Sequence, residues 1–353
     1  LGPLEIITLQ QCFEAVLDQK NKKKLFEFYR RHQGAKNFSD AEVFHQAVSR
    51  EIGGVDWPQF QKAREKAQEI LETSASQSVS FIRHGDREYP PQFYDLPNPP
   101  MLLYVKGNSD LLTTSPRIGV IGSREPSELG KRYTREVACA LVAENAIVVS
   151  GFALGVDAKA HKASLEAGRT IAVMARPVFD VAPGFSHNLG AQMLTGARTG
   201  KVCFVSELPP GTSYDKDYFR RQSELTATLS KAVVVVQGNV RSGTVMTANI
   251  FLDKKKPVAC LNAPEEVTGF AGNKQLLAKP GVKGVDPAAI PNQVKAFVAS
   301  LGASPAPQAS LHSWLKTGSS VKRGLGYDGA GSDAEGGGKK PREGEGGPSV
   351  LPR

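Results

Sequence analysis

Ile118-Gly119-Val120-Ile121-Gly122-Ser123-Arg124 joins an apolar, β-branched run to a small polar turn that ends on a cation, and the same kind of junction recurs along the chain. The later instances are Ser150-Gly151-Phe152-Ala153-Leu154-Gly155-Val156-Asp157, Glu207-Leu208-Pro209-Pro210-Gly211-Thr212 and Arg241-Ser242-Gly243-Thr244. Each turn follows a strand candidate and precedes a helical stretch. In an open parallel sheet such turns gather at the carboxyl edge of the strands, where ligands bind at a topological switch point. Glycine admits close approach to the backbone, Ser and Thr donate hydrogen bonds, and helix N-termini present unpaired N–H groups to an anion. The pattern predicts an α/β fold with a doubly wound, mostly parallel sheet and an anion-reading edge.

Working outward, strand candidates fall at Ile118 to Ile121, Ala146 to Val149, Thr170 to Met174, Val202 to Val205, Ala232 to Val236 and Val258 to Leu261, with helices between them. One helix is expected over Ser127 to Glu144, burying Leu129, Tyr133, Val137 and Leu141, with Pro126 suited to its opening turn. Residues 1–78 read as a small helical (SAM-like) domain, with apolar positions such as Phe13, Val16, Leu17, Leu25, Phe28 and Tyr29 near helical spacing. Its Lys20 to Lys24 run reads as a solvated face, with phosphate contact as the alternative. Residues 79–115 are a proline-dense lead-in whose prolines exclude a helix and whose Met101-Leu102-Leu103-Tyr104-Val105 run forms an edge strand of the core. The core is expected over 116–290 and a short helix over 291–302. Residues 303–353, rich in Pro and Gly, bury too little apolar surface to order themselves and read as a disordered tail. Leu311, Trp314 and Leu315 in that tail are an incidental apolar island or a docking peptide.

The 353 residues include 40% apolar side chains, enough for a sizeable core, and carry a formal charge of +9. A pI near 9.3 suits a polyanionic partner, although basic charge also serves solubility. Cys12, Cys139, Cys203 and Cys260 are far apart, with neither a CxxC pair nor a nearby His, so no metal site is expected and a reducing cytoplasm fits best. No apolar run approaches the ~20 residues that span a bilayer, so no membrane partner is expected. The chain opens Leu1-Gly2-Pro3 without a methionine, which leaves room for a removed leader.

The first turn lacks the third glycine of a dinucleotide fingerprint, which disfavours dinucleotide chemistry; no cofactor is expected. Ser123 and Arg124 at a helix N-terminus suit an anion seat, with a plain strand-to-helix turn and a solvated arginine as the alternative. Asp157 and His161, four residues apart, share a helix face. They read as a structural network, Asp157 capping backbone N–H groups and His161 bonding a carbonyl, with an acid and base pair as the alternative. No GxSxG elbow, HExxH motif or carboxylate-rich metal cluster is present, so no catalytic residue is assigned. The third turn is read as long, from Glu207 to Gln222. It carries Tyr214, Tyr218, Phe219, Arg220 and Arg221, aromatics interleaved with arginines as for stacking bases and pairing phosphates of a single strand, or else an active-site-like lid, or a loop whose aromatics pack on the sheet.

Taken in order, these stretches resemble the bacterial DNA-processing protein A family, also called DprA or Smf. The likeness begins at His84-Gly85-Asp86-Arg87-Glu88-Tyr89-Pro90 and continues through Asn98-Pro99-Pro100-Met101 to Gly107-Asn108. It is strongest in the four turns and Ala160-His161, closes at Gly272-Asn273-Lys274, and covers roughly residues 80 to 285. The resemblance implies an extended Rossmann-like fold, sequence-independent binding of single-stranded DNA, and a non-enzymatic recombination mediator that helps load RecA on incoming DNA during natural transformation. It further implies a homodimer acting on DNA coated by single-strand binding protein. By motif position, Gly122, Ser123, Arg124, Ser150, Gly151, Gly155, Arg221, Ser242, Gly243 and Thr244 would line the DNA pocket, joined by Phe219 and Arg220 from the aromatic-basic stretch.

Three departures from the family pattern stand out. Gln222-Ser223-Glu224 occupies the place of an Arg-Asn-Arg run, Ala175-Arg176-Pro177 replaces a glycine-rich turn, and the glycine-rich tail has no counterpart of the winged-helix module that many members carry. They suggest a divergent branch with altered DNA contacts. The alternative reading is a Rossmann-like sensor of a small nucleotide. Hydrolysis is the weaker form of it, because Met246 and Thr247 stand where related hydrolases need an acid. A third reading is a partner-binding scaffold whose pocket is vestigial.

Overall fold

Runs such as Ile118-Gly119-Val120-Ile121 and Ala232-Val233-Val234-Val235 are apolar throughout because they are covered on both faces, as parallel strands between helical layers are. The computed structural model describes residues 1–13, 19–33, 37–114, 116–181, 187–212, 215–262 and 267–302. The expected tail over 303–353, with Leu311, Trp314 and Leu315, lies outside the described residues, as do Val16, Leu17 and Tyr214 and the side chains of Lys20 and Lys22.

The chain begins with helices α1 (Pro3–Phe13), α2 (Gln19–His32), α3 (Ala41–Glu51) and α4 (Trp57–Ser76). Two strands follow, β1 (Val79–Arg83) and β2 (Leu102–Gly107), and then alternation sets in: β3 (Arg117–Ile121), α5 (Glu128–Ala143), β4 (Ile147–Ser150), α6 (Val156–Ala167), β5 (Thr170–Val173), α7 (His187–Arg198) and β6 (Val202–Ser206). The second half comprises α8 (Asp217–Leu229), β7 (Ala232–Val235), α9 (Gly243–Asp253), β8 (Val258–Leu261), α10 (Ala271–Leu277), β9 (Val282–Val285) and α11 (Ile290–Ser300).

Among the described residues the nine strands form one sheet in the order β1-β2-β6-β5-β4-β3-β7-β8-β9. The seven strands from β6 to β9 are mutually parallel, and the β1–β2 and β2–β6 pairs are antiparallel. The parallel part starts at β3 in the middle, winds outward through β4, β5 and β6, then returns to the other flank of β3 for β7, β8 and β9. The switch point therefore lies at the carboxyl ends of β3 and β7. This is the doubly wound, mostly parallel α/β architecture expected from the turns.

Helices cover both faces. On one, Ile118, Val120, Val148 and Val234 pack with Tyr133, Val137 and Leu141 of α5 and with Val294 and Phe297 of α11. On the other, Val149, Ile171, Val173 and Val205 meet Leu225 and Leu229 of α8, and Val233, Val235 and Cys260 meet Val245, Ala248 and Phe251 of α9. The amino-terminal helices share an apolar cluster with Tyr104 and Phe204 of the sheet, and the Tyr104 hydroxyl donates to Gln10 Oε1 at 3.1 Å.

The helix expected at Ser127 to Glu144 is α5, capped by the Ser127 hydroxyl, which accepts from Gly130 N. β1 pairs outside β2 and takes the edge position expected for Met101 to Val105. Its five residues are too few, and too mixed in burial, to stand out in the sequence; β9, short and half exposed, is equally faint. The proline-dense lead-in holds a short 3-10 helix, Pro91–Asp95, because a proline at the first helical position forfeits only an N–H that has no partner anyway.

α8 corrects the reading of Glu207 to Gln222 as one long turn, since helix begins at Asp217. Two cations hold its carboxyl end. Lys256 Nζ donates to the carbonyls of Ala227, Thr228 and Ser230 at 2.7, 2.7 and 2.6 Å, and Arg117 Nε donates to Leu229 O at 2.9 Å. Burial lowers the Lys256 ammonium to about 8. Lys256→Met keeps the aliphatic stem and strands three carbonyls, so stability measured by chemical denaturation should fall by about 2–4 kcal/mol.

Candidate functional site

The turns after β3, β4 and β7 meet at the switch point and enclose a hollow of about 540 Å³ together with one face of α8. A smaller hollow of about 350 Å³ adjoins it over the tips of β4 and β5. The two share Arg124, Gly151, Ala153, Phe219 and Gln222.

The first turn is fixed by its own backbone. Ser123 N donates to Gln237 O at 2.7 Å, and Val156 N donates to Ser123 O at 3.0 Å, which ties the turn to its neighbours on either side. Gly155, at φ +79°, lies so close that a Cβ there would overlap the Ser123 and Arg124 carbonyl oxygens. Its role is backbone packing between turns, whereas the sequence reading gives it to ligand approach. The Ser123 hydroxyl accepts from Glu125 N at 3.1 Å, and the Ser242 hydroxyl accepts from Val245 N at 3.4 Å as the cap of α9. Arg124 extends over the Phe219 ring, with its guanidinium carbon 4.9 Å from the ring centroid. A cation stacked on an aromatic face keeps its N–H edge available for an anion.

Gly122, Ser123, Arg124, Gly151, Phe219, Ser242, Gly243 and Thr244 thus come together around the larger hollow, with Asp157 beside them. The other expected contacts lie elsewhere. Ser150 is fully buried beneath the turn, its hydroxyl donating to Val120 O at 2.7 Å. Arg220 is three-quarters exposed on α8 and faces Glu224 at 3.9 Å. Arg221 is buried behind the helix: Nε and Nη2 grip the Glu207 carboxylate at 2.8 and 3.0 Å, Nη1 meets Glu224 at 3.3 Å, and Nη2 donates to Asn98 O at 2.6 Å. Glu207, the acid of the third turn, spends itself on this pair, and Glu207 to Thr212 line neither hollow. Arg221 therefore lines neither hollow; Lys216 joins Arg124 in the larger one, and Arg176, from the turn after β5, joins it in the smaller.

Helical phase explains the sorting. Phe219, Gln222, Ser223 and Thr226 occur at i, i+3, i+4 and i+7 and line the larger hollow, whereas Arg221 sits on a different face. Gln222, read from sequence as lost charge, bonds the sheet edge: Nε2 donates to Val173 O at 2.6 Å and to Gly151 O. Gln237 and Asn273 were likewise not singled out for the site. Gln237 Oε1 accepts from Ser127 N at 3.0 Å, and its Nε2 donates to Thr268 O at 3.2 Å. Asn273 donates to Val236 O and Leu261 O at 3.0 Å each and accepts from Gly238 N at 2.8 Å, fixing the turn that presents Ser242. Only the Gly272-Asn273-Lys274 motif hinted at this role.

Asp157 and His161 part company. Asp157 Oδ2 accepts from Gly151 N and Ala153 N at 3.2 Å each, as a cap for the second turn. His161 turns to β5: the Thr170 hydroxyl donates to Val148 O at 2.8 Å, so its contact at 2.7 Å with His161 Nδ1 is a bond donated by the ring. Its partner is thus a hydroxyl where a carbonyl was expected. Burial lowers His161 to about 3 and keeps it neutral. Burial also raises the Asp157 carboxyl to about 6, against its hydrogen bonds to Ala153, Ser150 and Gly151 and the nearby Arg124 charge. Among the described residues no three His, Cys, Asp or Glu side chains converge on a possible metal position, and no helix is long and apolar enough to cross a membrane.

A mostly parallel, doubly wound α/β sheet with a Gly- and Ser-lined crevice at its switch point, where Arg124 stacks on Phe219, defines a Rossmann-like protein. The chain belongs to the DNA recombination-mediator protein A family, whose profile matches residues 80–291. It is 32% identical over 202 residues to protein Smf of Synechocystis, covering 56% of this chain and 50% of that one. It is 30% identical over 223 residues to the DNA processing protein DprA of Bacillus subtilis, covering 62% and 72%. The chain thus spans half the length of the Synechocystis relative. The structure of DNA processing protein A from Streptococcus pneumoniae superimposes with a TM-score of 0.64 at 23% identity, covering 81% of this chain and 95% of that one, and shares the fold. The Helicobacter pylori protein, whose structure concerns its single-stranded DNA binding mode, matches with a TM-score of 0.53 at 26% identity, covering 63% and 95%.

Because the folded carboxyl of Asp157 titrates near 6 rather than near 3.8, the stability it confers is fully present below about 4 and is lost as pH rises toward 6. Asp157→Asn keeps an acceptor for both N–H groups. Denaturation across this window should show the variant gaining on the wild type by on the order of 2–3 kcal/mol, then holding that lead.

Proposed function

We propose that this protein binds single-stranded DNA without regard to sequence and acts as a recombination mediator that helps load RecA, as a homodimer, on strands coated by single-strand binding protein. The observation that carries the binding step is the Arg124 guanidinium stacked on Phe219 where the two polar hollows meet. It offers a phosphate a charge-assisted partner and leaves bases unread, as sequence-independent strand binding requires. Family membership supports the mediator role, and the likeness to the Helicobacter pylori protein supports the strand as ligand. Action in the cytoplasm accords with four unpaired cysteines, two of them buried in β6 and β8.

No side chain of the crevice is assigned a chemical step. Met246 and Thr247, where related hydrolases need an acid, both line the larger hollow. A second reading, sensing of a small nucleotide, draws on the volume of that hollow, which falls in the range of small-molecule sites.

Salt-titrated binding of unrelated oligomers, with mononucleotide as competitor, tests the assignment. Arg124→Ala should weaken all sequences alike and lower the salt slope by about one phosphate contact. Arg221→Ala, which strands Glu207, should reduce stability and leave the salt slope unchanged. Full competition by free mononucleotide would favour the sensor.

A further inference from the structure

A groove of about 570 Å³ runs between α6 and α7, apart from both hollows of the crevice. Gly196 sets its depth, because a Cβ there would press on Val202 at 2.6 Å and on Leu165 at 3.0 Å, so α7 lies close against α6 and β6 at this point. Thr199 and Lys201, which lead into β6, close one end. The groove therefore sits toward the amino edge of the sheet, opposite the crevice.

Most polar groups of its α7 wall are spent within the helix. Thr195 Oγ1 donates to Ala191 O at 3.0 Å, Thr199 Oγ1 donates to Thr195 O at 3.2 Å, and Gln192 Nε2 donates to Asn188 Oδ1 at 2.8 Å. Charge is left over. Glu166, the one acid of the lining, is paired from outside by Arg135 of α5 at 2.6 Å. Lys162 on α6 and Lys201 beyond α7 are exposed, one on each wall, and neither meets a carboxylate among the described residues.

A lysine near a helix end often serves its last carbonyls, but Lys201 is not needed for that. Backbone already closes α7: Lys201 N donates to Gly196 O at 2.8 Å and Gly200 N to Ala197 O at 3.4 Å, with Gly200 at φ +78°. Two uncommitted ammonium groups thus flank a trough whose floor is small and aliphatic, which gives it a positive field.

We infer that this groove docks an acidic segment of a partner protein, with an aliphatic side chain over Gly196 and Leu165 and carboxylates toward Lys162 and Lys201. A nucleic acid fits less well, because among the described residues neither an aromatic ring nor an arginine lines the groove to stack a base or fork a phosphate. The site stands apart from the single-strand reading. It lets one chain hold a protein at one edge of the sheet while the crevice at the other stays open.

The test is fluorescence anisotropy of a labelled nonapeptide, Asp-Asp-Leu repeated three times, with the full chain, set against its Ser-Ser-Leu counterpart. The acidic peptide should bind at least about tenfold more tightly than the serine one. Lys162→Glu and Lys201→Glu change exposed side chains, so circular dichroism should be that of the wild type, while each weakens the acidic peptide about fivefold. Saturating oligothymidylate should leave the peptide bound. A wild-type chain that binds neither peptide, equal affinity for the two, or acidic-peptide binding that both variants keep would overturn the proposal. Release of the peptide by oligothymidylate, with weaker oligothymidylate binding in both variants, would overturn it as well and give the groove to nucleic acid.

Discussion

Ser123 is held from both sides by main-chain hydrogen bonds, and the crevice depends on that hold. Its N–H is donated to the carbonyl after β7, and its carbonyl accepts the N–H that opens α6. Two turns from opposite flanks of the switch point are thereby locked to the turn between them. The lock requires near contact of backbones, which is why Gly122 and Gly155 have no room for a Cβ: Val156 and Gln237 O crowd the first, and the Ser123 and Arg124 carbonyls crowd the second. With the turns fixed, Arg124 extends over Phe219.

The polar supports behind this lock are as much a part of the site as its rim. Gln222 bonds the tips of β4 and β5, Gln237 bonds the start of α5, and Asn273 bridges β7 and β8. Each satisfies buried backbone groups that would otherwise cost a kilocalorie or more apiece. α8 is anchored at its far end by Lys256 and Arg117, so the face bearing Phe219 and Gln222 is presented by a rigid element. Lys256, Arg117 and Arg221 are cations held by the fold itself, and net charge alone says little about what reaches a ligand.

The fold was legible in the sequence because fully buried parallel strands leave unbroken apolar runs, and all six that were expected exist within a residue or two of their predicted ends. The short edge strands β1 and β9 left no such trace. In the site, the turns after β3, β4 and β7 are readable from their Gly, Ser and Thr content, whereas a loop reading of the stretch around Arg221 hides the helical phase that turns it away from both hollows. Had Asp217 to Leu229 been phased as a helix, the i, i+3 relation of Phe219 to Gln222 and of Arg221 to Glu224 would have separated the two arginines. Ser150, an acceptable hydroxyl donor by composition, was lost to the ligand for a reason composition cannot carry: a neighbouring strand offers it a carbonyl.

The central claim is that the turns after β3, β4 and β7 together form one strand-binding crevice. Amide hydrogen exchange of the full chain with and without saturating oligothymidylate measures it most directly. The account predicts slowed exchange in Gly122 to Arg124, Gly151 to Ala153 and Ser242 to Thr244, with α8 protected around Phe219. Protection confined to the amino-terminal helices or to the β8–β9 edge, with these turns exchanging as before, would contradict it.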